Sequence, residues 1–228
     1  MIYSFMLQDM VGGQGMKPKL FQFWNTECAP DEVEVLMQTW ARDPAFDYHR
    51  FNAETADAFI ETNFDGRTLA AYRKCGVPAM QADFFRYCAL YVHGGVYVDA
   101  DTKNSGRLPE LLEGRKLGLL MTREARVAND FLYVCDAEAE LYRKTIECAI
   151  LNVNSEISNN VWMVTGPGIM TRFFHDATEK HLLAEYAMEP ASIIRNYVLF
   201  QHNLVYKKSD DDWRKKIDSI KSSIYLRS

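Results

Sequence analysis

Between Val77 and Asp101 the chain reads VPAMQADFFRYCALYVHGGVYVDAD, and no other stretch restricts the fold as tightly. Pro78 suits the first turn of a helix, and Gly94-Gly95 suit its C-terminal cap. The residues between them are apolar nearly all round, the pattern of a helix buried on every side. A short apolar run, VYVD, follows at once and reads as a strand. A fully buried helix that feeds straight into a strand fits a layered α/β domain, with helices on both faces of a mainly parallel sheet.

The flanking sequence repeats the alternation. Lys19–Asn25 reads as an aromatic-rich strand, followed by a helix, DEVEVLMQTWARD, with Asp31 as N-cap. Tyr48–Glu54 is expected as a second strand, Ala53 to Asn63 as a helix, and GRTLAAYRKCG as a short helix closing at Gly76. KLGLLM and NDFLYV read as strands, AEAELYRKTIECAILNV as a helix, and VWMVTGPG as a strand entering a Gly-Pro turn. The 228 residues suffice for one domain with a substantial core, expected over 17–228 and closing in a basic C-terminal helix. Residues 1–16 read as a leader or disordered N-terminus. Gln8 and Asp9 interrupt their apolar run and no basic start precedes it, so no signal peptide is expected.

Charge and cysteine content narrow the function. A net charge of −5 disfavours nucleic acid as a partner. Residues 207–228 hold seven basic and four acidic residues, so a basic tail sits on an acidic body. Five cysteines without a CxxC pair are expected to be reduced core thiols in a cytoplasmic protein, with no zinc site. Trp213, Ile217, Ile220 and Ile224 recur at helical spacing among lysines. That stripe reads either as a helix packed on the body or as peripheral membrane contact through residues 213–227.

The chemistry concentrates at the end of the VYVD strand. Side chains two apart on a strand point the same way, so Asp99 and Asp101 can aim at one point beyond its C-terminal end. Ligands of open α/β sheets bind there. Two adjacent carboxylates repel unless a cation neutralises them, and a hard divalent ion, Mn²⁺ or Mg²⁺, prefers oxygen ligands while leaving positions open for phosphates. A pair of solvated loop carboxylates would show the same DxD. Asp83 and Arg86, however, stand three apart on the buried helix, where an unused charge is costly. They read as an intrahelical ion pair or as groups that bind hydroxyls and phosphate, and the Gly-Gly joint brings them toward Asp99 and Asp101.

AMQADFFRYCALYVHGGVYVDADT resembles the signature of the DXD-containing sugar transferases of glycosyltransferase family 32, an arrangement shared by the glycosyltransferase domains of large clostridial toxins. KPKLFQFWN, NDFLYV and TGPGIMTRFF are similar to other segments of that family. The resemblance covers roughly residues 17–175 and implies a GT-A fold with a Rossmann-like nucleotide half. It implies transfer of a sugar from a UDP- or GDP-sugar, with retention, to a glycan, lipid-linked or protein acceptor. On this likeness Asp99 and Asp101 hold the metal, and Asp83 and Arg86 contact donor sugar and phosphate as catalytic residues. Trp24 stacks on the base, and Tyr97 and Asn129 line the donor site. The family's closing Ser-Trp has its nearest counterpart in Trp213. A third metal ligand is sought among His202, Asp210, Asp211 and Asp212, where this chain departs from the family pattern.

Three other functions fit parts of the pattern. A DxD phosphohydrolase would carry Thr or Val two places after the second Asp, where Lys103 stands. A sugar nucleotidyltransferase would need a basic, Gly-rich loop near the N-terminus, and GGQG lacks the basic residues. A non-catalytic sugar-binding module would be expected to have lost motif residues, and none is missing. His93 precedes a helix end and reads as structural or dipole-stabilised rather than catalytic. GPGIM is too short for a phosphate loop.

Overall fold

The computed structural model describes residues 17–184, 186–208 and 223–226. Its strands are β1 (Lys19–Phe23), β2 (Asp47–Phe51), β3 (Gly95–Val98), β4 (Thr102–Asn104), β5 (Gly118–Arg123), β6 (Arg126–Val134), β7 (Ala187–Pro190) and β8 (Val198–Phe200). Its helices are α1 (Asp31–Ala41), α2 (Ala53–Asn63), α3 (Gly66–Lys74), α4 (Pro78–His93), α5 (Leu108–Leu112), α6 (Glu140–Asn154), α7 (Val161–Val164), α8 (Gly168–His175) and α9 (Ala191–Ile194).

Six strands form the central sheet in the order β2-β1-β3-β6-β5-β7. All run the same way except β6, which is antiparallel to both β3 and β5. The sheet is thus mostly parallel, as expected. A separate antiparallel pair, β4 with β8, lies just beyond the end of β3.

Alternation along the strands sorts the core into two layers. Phe21, Tyr97, Leu120 and Leu132 face α2, α3, α4, α6 and α8. Their strand neighbours Leu20, Val96, Val98, Leu119 and Phe131 face the opposite way, against Trp40 of α1, α5 and α9. Helices therefore cover both faces. Helix α4 is wedged between sheet and outer helices, with Phe84 through Leu90 buried without interruption. The joint after it works as the sequence suggests: Gly94 and Gly95 adopt φ of 64° and 94°, a region that favours glycine. A Cβ on Gly95 would stand 2.4 Å from the Lys19 carbonyl oxygen.

Several local expectations are corrected. Asp31 opens α1 as its first residue. Pro30 occupies the N-cap position, and Glu34 instead reaches back to accept the Ala29 N–H. Strand β2 stops at Phe51, because Asn52 leaves the sheet to cap α2 in a reciprocal pair with Thr55. Helix α3 ends at Lys74 with Cys75 as its C-cap, rather than on a left-handed Gly76, whose N–H donates to the Ile224 carbonyl. VWMV is a turn of helix and not a strand. Val161 and Val164 are buried while Trp162 and Met163 are exposed, a three-residue spacing that fits a helix. Cys28 is exposed, so not every cysteine belongs to the core, although all five are free thiols. Ile224 is buried against the main core, as the packed reading of the C-terminal stripe expects, but residues 223–226 are not helical and Tyr225 instead bridges to Cys75. The rest of the C-terminal stripe, Trp213, Ile217 and Ile220, lies outside the described residues. Among the described residues no helix is long and apolar enough to cross a membrane.

Candidate active site

The DxD turn is held by its own backbone. The Asp99 carbonyl accepts from the Thr102 N–H at 3.1 Å, the Thr102 hydroxyl at 2.7 Å and the buried Gln22 amide at 3.2 Å. Trp40 closes the far side of the turn, its indole N–H donating to Thr102. The loop is therefore fixed from beneath, which leaves the carboxylates of Asp99 and Asp101 to face the cleft.

Beneath them lies Arg86, almost wholly buried. One guanidinium nitrogen stands 3.2 Å from both Asp83 and Asp99, and the group also donates to the Ala82 and Asn129 carbonyls. It stacks 4.4 Å from the centre of the Tyr97 ring. A single buried cation thus joins the helix carboxylate to the strand carboxylate. Asp83 is further tied by the Asn129 amide at 2.8 Å, and Asn129 donates in turn to the Tyr87 hydroxyl at 3.0 Å. Thr165 stands 3.5 Å from the other Asp83 oxygen.

Strand β6 supplies the next part. Its register against β5 jumps from Leu120↔Leu132 to Met121↔Ala128, so Asn129, Asp130 and Phe131 bulge out of that pairing. The bulge stays attached to β3, because the Asp99 N–H donates to the Asp130 carbonyl at 3.0 Å. Asp130 pairs with Arg123 through one oxygen, while its other oxygen is buried with no hydrogen-bond partner among the described residues.

These groups floor a cleft of about 1310 Å³. Its lining includes Trp24, Thr26 and Cys28, residues 123, 124 and 126–130, and residues 158–162. Tyr206 closes part of the mouth, edge-on to Trp24 at 5.3 Å and 3.3 Å from Asp101. Next to it, Lys207 forms an ion pair with Asp101 and donates to the Gln201 carbonyl at 2.7 Å.

The electrostatics are those of a site with surplus negative charge. Burial pushes Asp99 up to about 7, with Asp101, Asp130 and Asp83 adding to the shift and Arg86 opposing it. Burial likewise raises Asp83, against Arg86, Asn129 and Thr165. Desolvation works against the Arg86 charge, yet Tyr97, Asp99 and Asp83 outweigh it and hold the guanidinium above its ordinary range. His93 is lowered by burial and by Lys19 and His49. Its ring stacks on Phe21 at 5.8 Å, which makes it a packing residue and not a dipole-stabilised cation.

Asp99 and Asp101 fit a hard divalent cation. Their shared turn, the raised Asp99 and the ammonium already seated on Asp101 all indicate unmet demand for positive charge. Among the described residues no three His, Cys, Asp or Glu side chains converge on one point, and His202 is exposed beyond β8. A metal here would take most of its ligands from water and a bound diphosphate.

The structure brings Asp83, Arg86, Tyr97, Asp99, Asp101, Trp24 and Asn129 to one cleft. Asp210, Asp211, Asp212 and Trp213 lie outside the described residues. Sequence reasoning missed Tyr87, Thr165, Asp130, Tyr206 and Lys207. Tyr87 was within reach of it, four residues after Asp83 on the same helix face.

Residues 19–117 match the family described as the glycosyltransferase sugar-binding region containing a DXD motif. An initiation-specific alpha-1,6-mannosyltransferase from Schizosaccharomyces pombe is 33% identical over 92 residues, 37% of this chain and 23% of that one. HOC1 of Saccharomyces cerevisiae, named for a glycosyltransferase, is 25% identical over 184 residues, 67% of this chain and 46% of its own length. The chain thus spans less than half the length of these curated relatives. A solved structure, the PaToxG glycosyltransferase, superposes with a TM-score of 0.52 over 90% of this chain and 87% of its own, at 14% identity.

Proposed function

We propose, on the premise of a DXD-containing glycosyltransferase region built on a GT-A type fold, that this chain transfers a sugar from a nucleotide-sugar donor to an acceptor hydroxyl. The observation that carries this reading is the buried Arg86 bridge from Asp83 to Asp99. It locks a helix carboxylate and a strand-end DxD into the floor of one nucleotide-sized cleft.

In that reading Trp24 stacks on the base at one wall. Asp99 and Asp101 hold Mn²⁺ or Mg²⁺, which when bound neutralises the diphosphate that must leave. Asp83 and Asn129 accept and donate hydrogen bonds to sugar hydroxyls, and Arg86 keeps Asp83 and Asp99 apart and aimed. The acceptor oxygen bonds to the anomeric carbon as the carbon–oxygen bond to the diphosphate breaks. The electron pair departs with the nucleoside diphosphate, and the hydroxyl proton passes to a departing phosphate oxygen. Both Asp83 oxygens are engaged by protein partners, which disfavours Asp83 as a covalent nucleophile and favours attack from the leaving-group face, with retention. A mannosyltransferase among the relatives puts mannose-bearing nucleotides at the head of the donor panel.

Incubation with UDP- and GDP-sugars and Mn²⁺, followed by assay of nucleoside diphosphate release, tests the reading. At least one donor should turn over, and proton NMR of the product should show the anomeric configuration kept. Asp101→Asn should fold normally and lose metal-dependent nucleotide affinity at least tenfold, about 1.4 kcal/mol. Release from no donor, with or without metal, would refute the proposal.

A further inference from the structure

Trp162 is a large aromatic residue, 38% exposed, in the lining of the same cleft as Trp24. Exposed single aromatics are common, but this one sits in a built seat. A Cβ on Gly168 would lie 2.5 Å from the Trp162 carbonyl and 2.7 and 2.8 Å from two indole carbons. One on Gly166 would lie 2.7 Å from the Trp162 Cα. Thr165 of TGPG reaches Asp83, while the two glycines of the motif are what lets the indole lie down on the backbone. Asn160 fixes the start of the turn by accepting the Trp162 N–H at 3.0 Å, and the buried Asn152 amide holds its end through the Met163 and Val164 carbonyls. Arg126 stands 5.8 Å from the ring centre. Ser158, Asn159 and Asn160 line the same cleft, and the ring also borders a small apolar hollow with Ile157 and Met163.

A rigid, half-exposed ring edged by amides and a hydroxyl matches one ligand chemistry well. A pyranose carries C–H groups on its faces and hydroxyls at its rim, so it stacks on the ring and hydrogen-bonds the polar border. The exposed Ile157 and Met163 border the ring in a hollow of only about 190 Å³, too small for a lipid chain, and an extended peptide would need an open sheet edge. We infer that Trp162 is the platform of an acceptor subsite that takes a sugar residue, so the acceptor is a saccharide and not a bare protein side chain or a lipid headgroup. This rests on the glycosyltransferase reading and specifies its substrate class.

Saturation-transfer NMR on the protein loaded with Mn²⁺ and UDP or GDP tests it, using methyl pyranosides of mannose, glucose and galactose as probes. Wild type should transfer magnetisation to ring C–H protons of at least one pyranoside. Trp162→Ala should weaken that binding about tenfold, and Trp162→Phe by less, as expected for loss or shrinkage of one stacked aromatic. Calorimetry should show the nucleoside diphosphate Kd changed less than twofold in both. Undiminished pyranoside binding in Trp162→Ala overturns the inference, as does binding only of unglycosylated peptides or phosphatidylcholine vesicles. Should Trp162→Ala fail to fold or lose nucleotide affinity, Trp162→Phe decides, and unchanged pyranoside affinity there overturns it. Failure of wild type to bind any nucleoside diphosphate sinks the glycosyltransferase reading instead, whereas nucleotide binding without any pyranoside signal sinks the subsite alone.

Discussion

Asp99 carries the sharpest consequence at the level of single residues. Its carboxyl is raised to about 7, so near neutral pH it still holds its proton for much of the time. A cation needs the ionised form. Mn²⁺ affinity should therefore fall as pH drops through 7, by up to about tenfold per unit, and level off above it. Calorimetric titration between pH 5.5 and 8.5 reads this directly, and a flat profile would contradict the assignment. The same shift acts on the free protein in the opposite sense. Stability linked to Asp99 is fully present below its unfolded value and is lost as pH rises through 7. Lys207 is the second residue of interest. Its ammonium occupies Asp101, so an incoming ion must displace it. Lys207→Met should raise Mn²⁺ affinity in the nucleotide-free protein about tenfold, within the range of a partly buried ion pair. A drop would show that Lys207 positions Asp101 for the metal.

At the level of elements, the α4–β3 joint is the least tolerant place in the fold. Gly95→Ala meets both a positive φ and the Lys19 carbonyl, so urea denaturation should show a loss of roughly 3 kcal/mol or more. The joint is also where the sequence was most legible. Pro78, the apolar run, Gly94-Gly95 and the DxD are consecutive, and each reports a local backbone requirement that needs no distant partner. The helix α7 was misread because VWMV has the β-branched and aromatic content of a strand. What makes it helical is the seat provided by Gly166 and Gly168 and the grip of Asn152 from another helix. Asp130 was invisible for a related reason. It reaches the cleft only because β6 bulges, and nothing in NDFLYV encodes a bulge without its partner β5. Lys207 lies over a hundred residues from Asp101, and one basic residue among many in a charged tail carries no pairing signal.

For the molecule as a whole, the described core is two large layers on the faces of the sheet and a small cluster at α1, and α4 is the helix that carries Asp83 and Arg86 into the site. Phe85, fully buried at its centre, contacts Phe23, Phe51 and Phe59. Phe85→Ala should cost about 3–5 kcal/mol, and nucleotide binding should weaken with it because Arg86 is its neighbour. The global readout of the site is ligand stabilisation. UDP or GDP with Mn²⁺, at a hundred times Kd, should stabilise wild type by about 2.7 kcal/mol in thermal unfolding, and Asp101→Asn should lose the metal-dependent share.

One consequence follows from the single strand that runs against the others. Because β6 is antiparallel, it enters the cleft edge of the sheet where β3 leaves it, and the Asp99–Asp130 backbone hydrogen bond welds the two at that point. The DxD turn and the 129–131 bulge are therefore one plate, not two loops that can drift. The spacing from the DxD turn to the Asn129 and Asp130 side chains is a fixed gauge. Shortening or lengthening the 129–131 bulge would reset it only in whole-residue steps of about 3.3 Å. A relative with a different bulge length would be expected to address a different hydroxyl of the same sugar.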